Sequence, residues 1–78
     1  MEAIMNTFIE VNPRVCNGKP VIAGTRIPVS VIIDQLAASH SIDGVLTEFP
    51  ELRAEQVDAV LRYCHSIIEH TELETEAA

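Results

Sequence analysis

The chain of 78 residues has only two cysteines, Cys16 and Cys64, and neither a secretory signal nor a dense cysteine framework is visible. These absences argue against a disulfide-stapled extracellular fold and predict reduced thiols in the cytoplasm. No apolar run approaches the ~18 residues that a bilayer span requires. The longest apolar-rich stretch, Val29 to Ala38, is broken by Ser30, Asp34 and Gln35. Basic residues are also scarce, five Lys and Arg against twelve Asp and Glu, and the net charge of −7 opposes nonspecific attraction to nucleic acid.

Spacings that carry chemistry are missing as well. Zinc sites use close pairs such as Cys-x-x-Cys or His-x-x-x-His. Here Cys16 is alone, Cys64 and His65 are adjacent and diverge on a helix, and His65 and His70 lie five apart. Gly18-Lys19 has the form of the end of a phosphate loop. However, Pro13 stands at the first-glycine position, and Pro20 replaces the Ser or Thr and has no N–H to offer. No Ser, His and Asp grouping stands out, and a chain this small has little room for a substrate cleft. The expectation is a protein without catalytic activity, metal or cofactor.

What the chain does have is enough apolar content, 47%, to fold. Its length suits one domain, whose core contributes roughly 3–5 kcal/mol net. With disulfides and metals set aside, pairing with a second copy is the expected way to complete such a core, so a homodimer is predicted. Charge is segregated along the chain. Arg14, Lys19 and Arg26 lie in the first third, where the only acids are Glu2 and Glu10; from Asp43 onward nine acids face Arg53 and Arg62.

The element order reads as short strands followed by three helices, a mainly α fold. Phe8 to Val11 reads as a strand stopped by Asn12-Pro13, and Val21 to Ala23 as a second. Gly18 and Gly24 mark the turns between them. Thr25-Arg26-Ile27 is expected to be extended ahead of Pro28, and Pro28 to sit in the first turn of a helix. Val29, Ile32, Ile33, Leu36 and Ala37 form one helical face, ending near Ser39-His40. Ser41 caps a second helix with the stripe Ile42, Val45, Leu46 and Phe49, stopped by Pro50. A third helix begins near Arg53, with Val57, Val60, Leu61, Cys64, Ile67 and Ile68 as its buried face. The two-residue joint between the first helices predicts a three-helix bundle containing a helix-turn-helix. One domain over residues 8–70 is followed by an acidic tail, residues 71–78, read as frayed, with either a solubility role or a basic partner to fold onto.

The residues Asn12-Pro13, Cys16, Gly18-Lys19-Pro20 and Gly24-Thr25-Arg26-Ile27-Pro28-Val29, followed by Phe49-Pro50 and Leu52, carry a resemblance. Ile9 to Cys64 resembles the bacterial domain-of-unknown-function family four-three-three. The resemblance implies a VapB-type antitoxin with a homeodomain-like or winged-helix-like helix-turn-helix, which neutralises a PIN-like ribonuclease toxin and represses its own operon. The family's glycines and arginine correspond to Gly18, Gly24 and Arg26. One departure is Arg53, where the family usually carries Thr or Ser: Arg has no hydroxyl to cap a helix, and its charge opposes the helix dipole there.

Two functional readings follow. In the first, Arg14, Lys19, Arg26 and Arg53 contact promoter DNA, because Glu55, Asp58 and Glu69 on the third helix would repel phosphates. In the second, the chain is a protein-interaction module that sequesters or scaffolds a partner and never touches DNA. Arg26 has an internal alternative too, a salt bridge to Asp34 or Glu10.

Overall fold

The computed structural model describes residues 7–71. A two-stranded antiparallel sheet, β1 (Ile9–Glu10) and β2 (Val21–Ile22), leads into three helices, α1 (Val29–Ser39), α2 (Ile42–Glu48) and α3 (Ala54–Glu69). This is the mainly α arrangement with N-terminal strands that the sequence pattern predicts. Ile9 stands opposite Ile22, and Glu10 opposite Val21. The expected acidic tail falls outside the described residues from position 72 onward.

The strands are shorter than expected, and the third extended segment contributes one bridge only, between Val21 and Pro28. Pro28 has no N–H to extend a ladder. It precedes α1 rather than joining it: its backbone is extended (φ −68°, ψ 146°), and the first helical residue is Val29. The Val29 N–H donates to the Pro20 carbonyl at 2.9 Å, tying the start of α1 to the residue before β2.

Both ends of the α1–α2 joint are fixed locally. α1 closes on His40 in the left-handed region (φ 62°), with the His40 N–H on the Leu36 carbonyl at 2.7 Å. Ser41 then caps α2, its Oγ accepting from the Gly44 N–H at 3.0 Å. Gly44 itself has to be glycine for reasons of space. A Cβ there would overlap the Ser39 side chain, with Ser39 Oγ at 2.6 Å. Ser39 cannot easily retreat, because its hydroxyl donates to the Gln35 carbonyl at 2.8 Å.

α3 begins without a hydroxyl cap. Gln56 supplies half of a capping box instead, its Oε1 accepting from the Arg53 N–H at 2.7 Å. The guanidinium has no acceptor to offer the first-turn amides, so the other half is missing.

The core is one cluster of Ile22, Val29, Ile32, Val45, Leu52, Val57 and Val60, so β2 and every helix contribute. Each fully buried Val or Ile contributes roughly 1.5–3 kcal/mol of transfer free energy. The predicted buried faces are only partly used. Ile33, Leu61, Ile67 and Ile68 are 37%, 41%, 45% and 68% exposed, and Ala37 is exposed too. The buried residues of α3 are Val57, Ala59 and Val60, all in its first two turns. Its later turns run beyond the cover that two short helices provide.

Gly44→Ala tests the close approach. Helix propensity alone favours Ala by about 1 kcal/mol, whereas overpacking against a fixed neighbour costs roughly 1–3 kcal/mol. The variant is expected to be destabilised, read as a lower urea midpoint at constant slope. A raised midpoint would show that Ser39 gives way freely.

Candidate functional site

The basic front is built on two stitched loops. In the first, Asn12 Oδ1 accepts from the Arg14 N–H at 2.8 Å and the Asn12 carbonyl from the Val15 N–H at 2.9 Å. Asn and Pro at consecutive positions favour such a turn. The chain then takes three consecutive left-handed residues, Cys16 (φ 51°), Asn17 (φ 58°) and Gly18 (φ 82°). Asn and Gly tolerate this region; Cys does so only at a cost. Cys16 Sγ donates to the Arg26 carbonyl at 3.7 Å, a weak bond that joins the first loop to the second.

The second loop closes around Thr25. Its hydroxyl donates to the Ile22 carbonyl at 2.7 Å and accepts from the Ile27 N–H at 3.0 Å. The Ile22 N–H completes the closure on the Ile27 carbonyl at 3.0 Å. Gly24 sits at φ 80° with open space around it, so glycine is required there by conformation alone. Arg26 is left exposed at the tip.

The structure therefore brings Arg14, Lys19 and Arg26 onto adjoining loops, all three exposed. No carboxylate among the described residues forms an ion pair with any of them, and Arg26 pairs with neither Asp34 nor Glu10. Arg53 differs. It meets Glu55 at 3.1 Å across the first turn of α3, both side chains well exposed. Such a pair contributes ~0–1 kcal/mol, yet it neutralises the cation locally. The outer face of α3 is likewise laced internally, Arg62 with Asp58 at 2.9 Å and His65 with Glu69 at 3.7 Å.

A second feature was not legible from motifs. An apolar groove of about 380 Å³ opens between α1 and α3. Pro20, Val29 and Ile33 line one side, Tyr63, Cys64 and Ile67 the other, and Lys19 also borders it. The sequence signal for it is a surplus: α3 has more apolar residues at helical spacing than the core buries. Partial burial pushes the Cys64 thiol above its ordinary range, because desolvation disfavours the thiolate. Among the described residues no group of three metal ligands occurs, and no helix is long and apolar enough to cross a membrane.

Fold and surfaces together define a small three-helix domain with an N-terminal hairpin and two candidate binding faces. Within that class the chain belongs to the family described as "Protein of unknown function (DUF433)", which it matches over residues 9–64. It is also similar to "Uncharacterized protein y4eO" of Sinorhizobium fredii (strain NBRC 101917 / NGR234), with 34% identity over 55 residues. That match covers 70% of this chain and 25% of the relative, so the chain spans about a quarter of the relative's length. No solved structure matches the chain.

Two outcomes check this geometry. Thr25→Val keeps shape but removes two hydrogen bonds and strands the Ile27 N–H, which is expected to cost about 1–3 kcal/mol. Arg26→Ala is expected to stay within ~0.5 kcal/mol, since its side chain has no acid partner among the described residues. Chemical unfolding of both variants separates the structural residue from the free one. For Cys64, alkylation rate against pH should rise later in the folded chain than in urea. The sign follows from linkage: the folded state binds the thiol proton more tightly, so stability falls as pH climbs past the unfolded thiol's range. Coincident profiles would show that Cys64 is solvated.

Proposed function

We propose that the chain is an antitoxin-type regulator that contacts the phosphates of its own promoter through Arg14, Lys19 and Arg26 and captures a PIN-like ribonuclease toxin. The observation that carries the DNA half is local charge: three exposed cations on two stitched loops, none paired with an acid among the described residues. Net charge governs long-range attraction, but phosphate contacts are made by particular side chains. A net −7 chain can bind DNA only if its acids are turned elsewhere or neutralised. The ion pairs of Asp58 with Arg62 and of Glu55 with Arg53 along α3 supply some of that neutralisation.

The same pairs argue against α3 as a helix inserted in a groove. The proposed contact is therefore made by loops and positions the protein without reading bases. Three phosphate contacts are few, so the proposal includes a cytoplasmic homodimer, in which two copies double the contact set across two half-sites.

A second reading has its own observation. The groove between α1 and α3 favours a protein-interaction module that sequesters or scaffolds a partner without DNA, since exposed apolar grooves mark interaction sites.

Fluorescence anisotropy on a fragment of the chain's own promoter, measured across a salt series, distinguishes the two. Each phosphate contact contributes a slope of about −0.9 in log affinity against log salt, so three contacts predict about −2.7 per protomer. Arg14→Ala, Lys19→Ala and Arg26→Ala combined should flatten that slope and abolish binding. An unchanged slope removes the basic front from the proposal. Absence of binding by the unaltered chain, with toxin capture intact, moves the conclusion to the second reading.

A further inference from the structure

We infer that the groove between α1 and α3 is a docking site for the chain's own acidic segment, residues 72–78. The inference is independent of the regulator function proposed above. Its first support is charge complementarity. The groove is lined mainly by apolar side chains, with Ser30 among them, and Lys19, the only cation among the lining residues, pairs with no carboxylate among the described residues. The segment that follows α3 reads Glu72-Leu73-Glu74-Thr75-Glu76-Ala77-Ala78, one large apolar side chain between two carboxylates. In an extended chain alternate residues share a face, so Leu73, Thr75 and Ala77 can turn to the groove while the glutamates stay toward solvent and Lys19.

The second support is where the chain leaves the helix. α3 ends at Glu69, His70 departs from helical geometry, and the Thr71 hydroxyl donates to the Ile67 carbonyl at 2.8 Å. Ile67 lines the groove. The segment thus starts within about one turn of its proposed site. The groove residues of α3, Tyr63 to Ile67, lie within ~9 Å of the helix end at 1.5 Å per residue. Seven residues reach up to ~23 Å when extended, more than enough to return along them. Residues 1–6, which also lie outside the described part, contain apolar Ile4 and Met5 but only one acid, Glu2, so they match Lys19 less well.

Docking of this kind makes the groove an occupied surface that any protein partner must compete for. A short tether holds its segment at an effective concentration of about millimolar, so even a weak millimolar contact is about half occupied. The segment is easily displaced by a tighter ligand.

The chain carries its own reporter. In a Cys16→Ser background, Cys64 is the only thiol and lines the groove. Its rate of reaction with a bulky aromatic disulfide is compared in the full chain, in a chain ending at Thr71 and in a full-length Leu73→Asp variant. Both changes are expected to raise the rate about twofold or more. Synthetic peptide of residues 72–78, added at millimolar concentration to the shortened chain, should restore the slower rate. Added salt should accelerate the full chain alone. Equal rates in all three chains overturn the inference. So does a rate that falls with rising protein concentration whether or not the segment is present, because a second copy would then be the occupant.

Discussion

The Thr25 hydroxyl is the smallest group on which the rest of the arrangement depends. By donating to Ile22 and accepting from Ile27 it closes the loop that turns the chain from β2 into α1. That closure sets the bridge of Pro28 with Val21 and lets the Val29 N–H reach Pro20, which docks the first turn of α1 on the hairpin. Val29 and Ile32 then meet Ile22, and the core can assemble around them. The same loop carries Arg26 outward and offers its carbonyl to Cys16, so the basic front is a by-product of how the hairpin joins the bundle. The Gly-Thr-Arg-Ile-Pro-Val block is read most simply as a folding device whose tip carries one cation, Arg26, without an acid partner among the described residues.

Much of this was legible in residue order, because it depends on short-range physics. Helix ends were readable from Ser41, Pro50 and the apolar spacing, and the joint at His40-Ser41 falls where that spacing breaks. Pro28 lies one residue before the helical position its type predicts, because a proline's fixed φ suits both the first helical turn and the extended residue before it. Only tertiary pairing with Val21 decides between them. The Arg53 departure had a similar resolution. The missing hydroxyl has no replacement; Gln56, three residues on, supplies the reciprocal bond by accepting from the Arg53 N–H, a partner that the N-cap position alone does not reveal.

The less legible features are those of close approach and of coverage. The requirement for glycine at Gly44 comes from Ser39 across the joint, which no periodicity records. The stripe of α3 read as buried throughout because spacing identifies a face without saying whether anything covers it. Val57 and Val60 join the central cluster, whereas Ile67 and Ile68 stay 45% and 68% exposed. The basic candidates divide on the same grounds. Arg14, Lys19, Arg26 and Arg53 are equivalent in a charge count, but the structure leaves three without an acid partner among the described residues and gives the fourth to Glu55.

The surplus apolar face and the small core are two sides of one constraint. A bundle of three helices with seven residues in its central cluster has little interior to lose. An all-polar late α3 would be better hydrated, and nothing within the described fold needs Ile33, Ile67 or Ile68 to be apolar. Exposed residues of this kind give up solvation without return unless something covers them at least part of the time. The groove bordered by Lys19 is where that cover fits best, since an apolar contact there can be combined with a charge contact at its edge. An acidic segment joined to the end of α3 satisfies both conditions at the low entropic cost of a tether, and its weakness leaves the groove open to exchange with a tighter ligand.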